Sequence, residues 1–135
     1  MWVRRMDIKL KEIDRDTLKV GDAVGVARKV ECGWFSPFRH SRIIPAKSIK
    51  ITPKRTKIVS DKFGEHDKQE VFYELNKDAA QETILAEAFG TLKDGIYELE
   101  ELKRKDRLRE ISDEDILEAS KHMEAIMEII EKYTW

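Results

Sequence analysis

Seven cations and no acid lie between Gly33 and Ser60: Arg39, Arg42, Lys47, Lys50, Lys54, Arg55 and Lys57. Trp34, Phe35 and Phe38 stand at the start of the same run. Cations displace the counterions of a phosphate backbone and flat rings stack on bases, so this pattern points to nucleic acid or another polyanion. Basic solvent faces on two ordinary strands, with the aromatics in the core, would give the same composition. In Lys47–Thr52, Ile49 and Ile51 should share one face of an extended strand while Lys50 takes the other. Lys54 and Arg55 follow Pro53, where a turn would project them. Trp34–Phe38, interrupted by Pro37, reads either as a recognition loop or as a lid folded over an open barrel end.

Other chemistry is poorly served. His40, His66 and His122 are scattered, without the spacing of a metal site, so no metal is expected. His66-Asp67 reads as a solvated turn, and His122 as a residue beside an apolar helical stripe. Cys32, the only cysteine, excludes an internal disulfide and any metal site built on a cysteine pair. At a strand end such a residue is commonly a small apolar filler. The six glycines are dispersed, so no phosphate loop forms and no cofactor is implied. A non-enzymatic role follows from these absences.

Charge is divided along the chain. Residues 1–68 hold 17 Lys and Arg against 9 Asp and Glu, and residues 69–135 hold 9 against 18. The net of −1 therefore conceals a half at +8 and a half at −9. The acidic half could imitate phosphates toward another protein, or could dock on the basic half within one chain or between two. Pairs such as Glu100–Arg104 and Glu101–Lys105 explain much of it as solvated helix surface. No apolar run reaches the length of a membrane span, and the start lacks a secretory pattern. With one cysteine, a soluble cytoplasmic protein is the expectation.

The elements that would position the cations change near Asn76. Before it, short alternating stretches read as strands: Ala23–Val30, Ile43–Ile51 with Pro45 as an edge or bulge, Lys57–Val59 and Glu70–Leu75. Asp61–Lys68 reads as a polar hairpin connection. Short strands at this spacing suggest a small, bent antiparallel barrel. After Asn76 the period is helical. Ile84, Leu85, Ala88, Phe89, Leu92, Ile96, Leu99 and Leu102 fall within an arc of about 140°, a core-facing stripe, with Gly90 and Gly95 as weak points. Ser112-Asp113-Glu114-Asp115 resembles a capping box opening a second helix, which puts Ile116, Ala119, Ser120, Met123, Ile126, Met127 and Ile130 on one face. The short link between them predicts an antiparallel pair.

The segments Val20-Gly21-Asp22-Ala23-Val24 and Ile49-Lys50-Ile51-Thr52-Pro53-Lys54-Arg55-Thr56-Lys57-Ile58 resemble small uncharacterised phage and prophage proteins with an SH3-like (KOW-like) barrel and C-terminal helices. The resemblance implies a cytoplasmic accessory protein of a mobile element, without catalytic residues or cofactor.

The expectation is therefore α+β: a basic SH3-like β-barrel over residues 1–76, followed by two antiparallel α-helices over 77–135, an acidic hairpin packed on or trailing the barrel. Its expected function is non-enzymatic binding of nucleic acid or a nucleoprotein through the barrel's basic face. Two other classes fit the same residues. One is a protein-binding inhibitor of a host defence nuclease, in the manner of an anti-CRISPR protein, and an acidic protein partner would equally satisfy the cations. The other is a structural oligomer, with a homodimer formed through Met123, Met127 and Ile130.

Overall fold

The structure, a computed structural model, describes residues 6–33 and 37–133. It divides into two compact units, Met6–Asp94 and, among the described residues, 95–133. The first carries five strands: β1 (Ala23–Glu31), β2 (Pro37–Ile51), β3 (Ile58–Ser60), β4 (Gly64–His66) and β5 (Phe72–Tyr73). A long helix, α1 (Lys77–Arg104), begins in this unit and runs into the second, which also holds α2 (Asp113–Glu131).

The strands form one antiparallel sheet in the order β4-β3-β2-β1-β5. Its two outer strands, β4 and β5, are not joined, so the sheet is open and the expected SH3-like barrel does not close. The reason is visible in strand length. β2 spans 15 residues and pairs with both β1 and β3, whereas β4 has three residues and β5 two. Edges this short supply few backbone groups with which to complete a ring.

One face of the sheet carries the core: Leu18, Val24, Val26, Ala46, Ile58 and Phe72 are buried together, with Ile13, Ile51 and Phe63 packed against them. Gly25, on β1 between β2 and β5, has no room for a side chain. A Cβ there would lie 2.5 Å from Ile43 Cγ2 and 2.9 Å from the Tyr73 carbonyl oxygen.

α1 covers the opposite face with its small side chains. Ala79, Glu82 and Ala86 are its buried residues, while Ile84, Leu92, Ile96 and Leu99 are exposed. The stripe expected to face the core is thus centred about 125° around the helix from the face that does. Ala79 and Ala86 lie on that face with Glu82, and of the larger apolar residues Leu85 and Phe89 are half-buried, Phe89 against Phe38 of β2. Asn76 starts the helix, its side-chain oxygen accepting the Ala79 N–H at 2.9 Å. The helix passes through Gly90 and Gly95 without a break.

In the second unit, Ser112 caps α2 by accepting the Asp115 N–H at 3.2 Å, as its sequence anticipates. The link from α1 turns at Asp106 (φ 55°) and the 3-10 turn Leu108–Glu110. α2 has no fully buried residue, and in this unit Leu102, Ile111 and Met123 are half-buried. No helix among the described residues is long and apolar enough to cross a membrane.

Candidate functional site

The cations of the acid-free run all lie on β2, on the β2–β3 turn and at its exit, but the structure gives them different tasks. Arg42, Lys47, Lys50 and Lys54 are exposed and have no ion-pair partner among the described residues. Lys57 is also exposed and pairs with Glu65 at 3.3 Å. A pair this exposed is worth at most about 1 kcal/mol, so a phosphate could displace the carboxylate.

Two arginines are spent on the fold. Arg55 has φ 56°, and its Nη1 donates to the carbonyls of Leu18 at 2.9 Å and Arg15 at 3.2 Å. Arg39 donates from Nη2 to His40 Nε2 at 2.7 Å. That contact makes Nε2 an acceptor, so the ring proton resides on Nδ1 and is donated to Glu82 Oε1.

The turn carrying Lys54 is braced. Thr52 N–H donates to the Lys57 carbonyl at 3.1 Å, and Arg55 N–H returns to the Thr52 carbonyl at 2.8 Å. Thr52 Oγ1 accepts the Lys57 N–H at 3.1 Å. A register shift between Ser48 and Lys50 alters the strand that leads to it. Ser48 is buried, Ile51 packs on the core, and Ile49 is 53% exposed, so Ile49 and Ile51 do not share a face as the alternation predicts. The bulge places Ile49 and Lys50 outside together.

Phe38, the one aromatic of the pattern among the described residues, is not free. Phe38 stacks on Phe89 of α1, with centroids 3.9 Å apart and planes inclined by 5°. Trp34 and Phe35 lie outside the described residues.

Sequence reasoning missed two buried polar clusters. His40 and Glu82 are 6% and 7% exposed and join the β2 edge to α1. Glu82 Oε2 accepts the Ser41 N–H at 3.2 Å, and Thr83 Oγ1 accepts the Ile43 N–H at 2.9 Å. These contacts cap the stretch of β2 beyond the reach of β3. Only the separation of Glu82 and Thr83 from the apolar arc of α1 hints at the arrangement.

The second cluster centres on His66, expected in a solvated turn but 1% exposed. Its Nε2 meets Ser60 Oγ at 2.8 Å, and its Nδ1 lies 3.1 Å from Glu70 Oε2, within ion-pair reach though bent away from hydrogen-bond geometry. Burial pushes the Glu70 carboxyl up, but His66 and Arg28 outweigh it and hold it below the usual carboxylate range. Hydroxyl, imidazole and carboxylate stand in the order of a nucleophilic relay. Ser60 is 2% exposed and its Oγ accepts the Phe63 N–H at 3.1 Å, so no substrate reaches it. The cluster is a polar core that explains why β4 forms inside the segment expected to be a loop.

A groove of about 680 Å³ lies beside β1, β2 and α1, lined by Lys29, Arg42 and Lys93 and by Glu31, Glu87 and Asp94. Its charges balance, which suits no particular ion. No group of His, Cys, Asp or Glu among the described residues could hold a metal ion.

Comparison with family models, curated proteins and solved structures finds no match to the chain. The resemblance of residues 20–24 and 49–58 to phage barrel proteins therefore has no support, and the open sheet overturns the fold it implied.

Proposed function

We propose that this protein binds nucleic acid without catalysis, through the phosphate backbone and by way of the β2–β3 hairpin. The observation that carries the reading is the exposure of Lys47, Lys50, Lys54 and Lys57 along one hairpin whose turn is internally hydrogen bonded. A braced turn loses little further freedom when its lysines meet phosphates, which favours binding.

The chemistry of these residues sets what kind of recognition follows. Lysines are point charges, lacking the bidentate fork with which arginine reads guanine. Arg55 is committed to backbone carbonyls, and Phe38 to Phe89. Between Lys47 and Lys57 no arginine fork is free and Phe38 is committed, so recognition along the hairpin is one of charge and backbone, indifferent to sequence.

An NMR titration with a short DNA or RNA duplex tests the site. Amide shifts should concentrate between residues 47 and 57 and leave the α1-facing side of the sheet unchanged. Shifts confined to α1 or α2, or none at all, would remove the hairpin from the binding role.

A further inference from the structure

α2 presents an exposed surface unlike that of a helix finished by its own fold. None of its side chains is buried, yet Ile116 is 47%, Met127 57% and Ile130 51% exposed, and Tyr133, just past its end, 49%. Together with Ile126 and Ile129 they expose on the order of 600 Å² of apolar surface, at the upper limit for a monomer and near the roughly 800 Å² per partner of a stable interface.

The spacing says what covers it. Ile116, Ala119, Met123, Ile126, Ile130 and Tyr133 follow one another by steps of three, four, three, four and three residues. That is the a/d period of helices that pair with helices. The flanking positions hold Asp115, Ser120, His122, Met127 and Ile129, with a single acid among them. Glu118, Glu124, Glu128 and Glu131 fall on the remaining positions. A copy of α2 can therefore approach this stripe without like charges meeting along the seam.

The order of the steps is the same read in either direction. A second copy running antiparallel sets Ile116 of one chain against Tyr133 of the other, Ala119 against Ile130, and Met123 against Ile126. Small Ala119 faces large Ile130 in the intermediate layers, and the pattern is self-complementary about a two-fold axis, as a symmetric dimer requires. The same orientation opposes the two helix dipoles favourably.

We propose that α2 is a dimerisation helix whose stripe pairs antiparallel with that of a second copy. The dimer carries two β2–β3 hairpins on one particle, so a long polyanion could engage both and bind more tightly than one hairpin allows.

Sedimentation equilibrium of the full chain over the micromolar range tests the pairing, with Ile126→Glu as the disrupting variant and Leu117→Glu, off the stripe, as the control. The expected result is a mass of twice 15.9 kDa for the native chain and the control. Ile126→Glu should weaken association by roughly a hundredfold or more, because an unpaired carboxylate would be buried in the seam. A native chain that stays monomeric throughout the range overturns the proposal. So does a dimer that survives Ile126→Glu or is lost equally in Leu117→Glu.

Discussion

Arg15 and Arg55 hold each other's backbone. Arg55 Nη1 donates to the Arg15 carbonyl at 3.2 Å, and Arg15 Nε returns to the Arg55 carbonyl at 3.4 Å. Arg15 also donates to the Glu70 carbonyl at 3.1 Å and lies 5.7 Å from the centre of the Phe72 ring. This lock ties the chain before β1 to the β2–β3 turn and fixes the left-handed backbone of Arg55. Replacing Arg55 by Ala should destabilise the fold by about 2 kcal/mol, and Lys should restore little, since one ammonium cannot reproduce the planar fork. Urea denaturation of both variants checks this. A variant as stable as the native chain would mean the lock is incidental.

The tie between α1 and the sheet is equally specific. Glu82→Ala would leave His40 Nδ1 and the Ser41 amide without their acceptor in a buried site, at a cost of about 2–3 kcal/mol. Hydrogen exchange should accelerate at Ser41 in that variant before it does at Val24 or Val26. Uniform acceleration would show that the helix and sheet open as one unit.

Gly25 is fixed by contact, since its backbone does not require glycine. Gly25→Ala places a methyl against Ile43 and the Tyr73 carbonyl, and should lower stability by about 1–3 kcal/mol. A crystal structure or thermal melt showing an unperturbed β1–β5 pairing would contradict the crowding argument.

Acid sensitivity should come in part from Glu70. Its folded-state pKa lies below the ordinary 4.5, so its contribution is present above that pH and disappears as pH falls through the folded value. Glu70→Gln should destabilise the protein by about 1–2 kcal/mol near neutrality and flatten the loss of stability below pH 4.5. An unchanged pH profile would remove the His66–Glu70–Arg28 cluster as the cause.

The sequence is most legible where a local signal decides the outcome. The change of period near Asn76 meets the start of α1 at Lys77, and Ser112 caps α2. It is least legible where distant segments decide. Closure of the sheet depends on how far β4 and β5 extend, and no local pattern states that. The buried face of α1 holds Ala79, Glu82 and Ala86, not the bulkier Ile84 and Leu92. His66 looks like a solvated turn residue until Ser60 and Glu70 are brought to either side of it. Among the candidate cations, type and spacing could not separate Lys54, which projects freely, from Arg55, which is bound to Leu18 and Arg15.

That separation decides which side chains to remove. Fluorescence anisotropy of labelled duplex, titrated across a salt series, should be run on the native chain and on a variant with Lys47, Lys50, Lys54 and Lys57 replaced by Ala, leaving Arg55 in place. Binding should weaken with salt at a log–log slope of about −3 to −4, and the variant should lose both the affinity and the slope. Equal affinity and equal slope in the two proteins would contradict it.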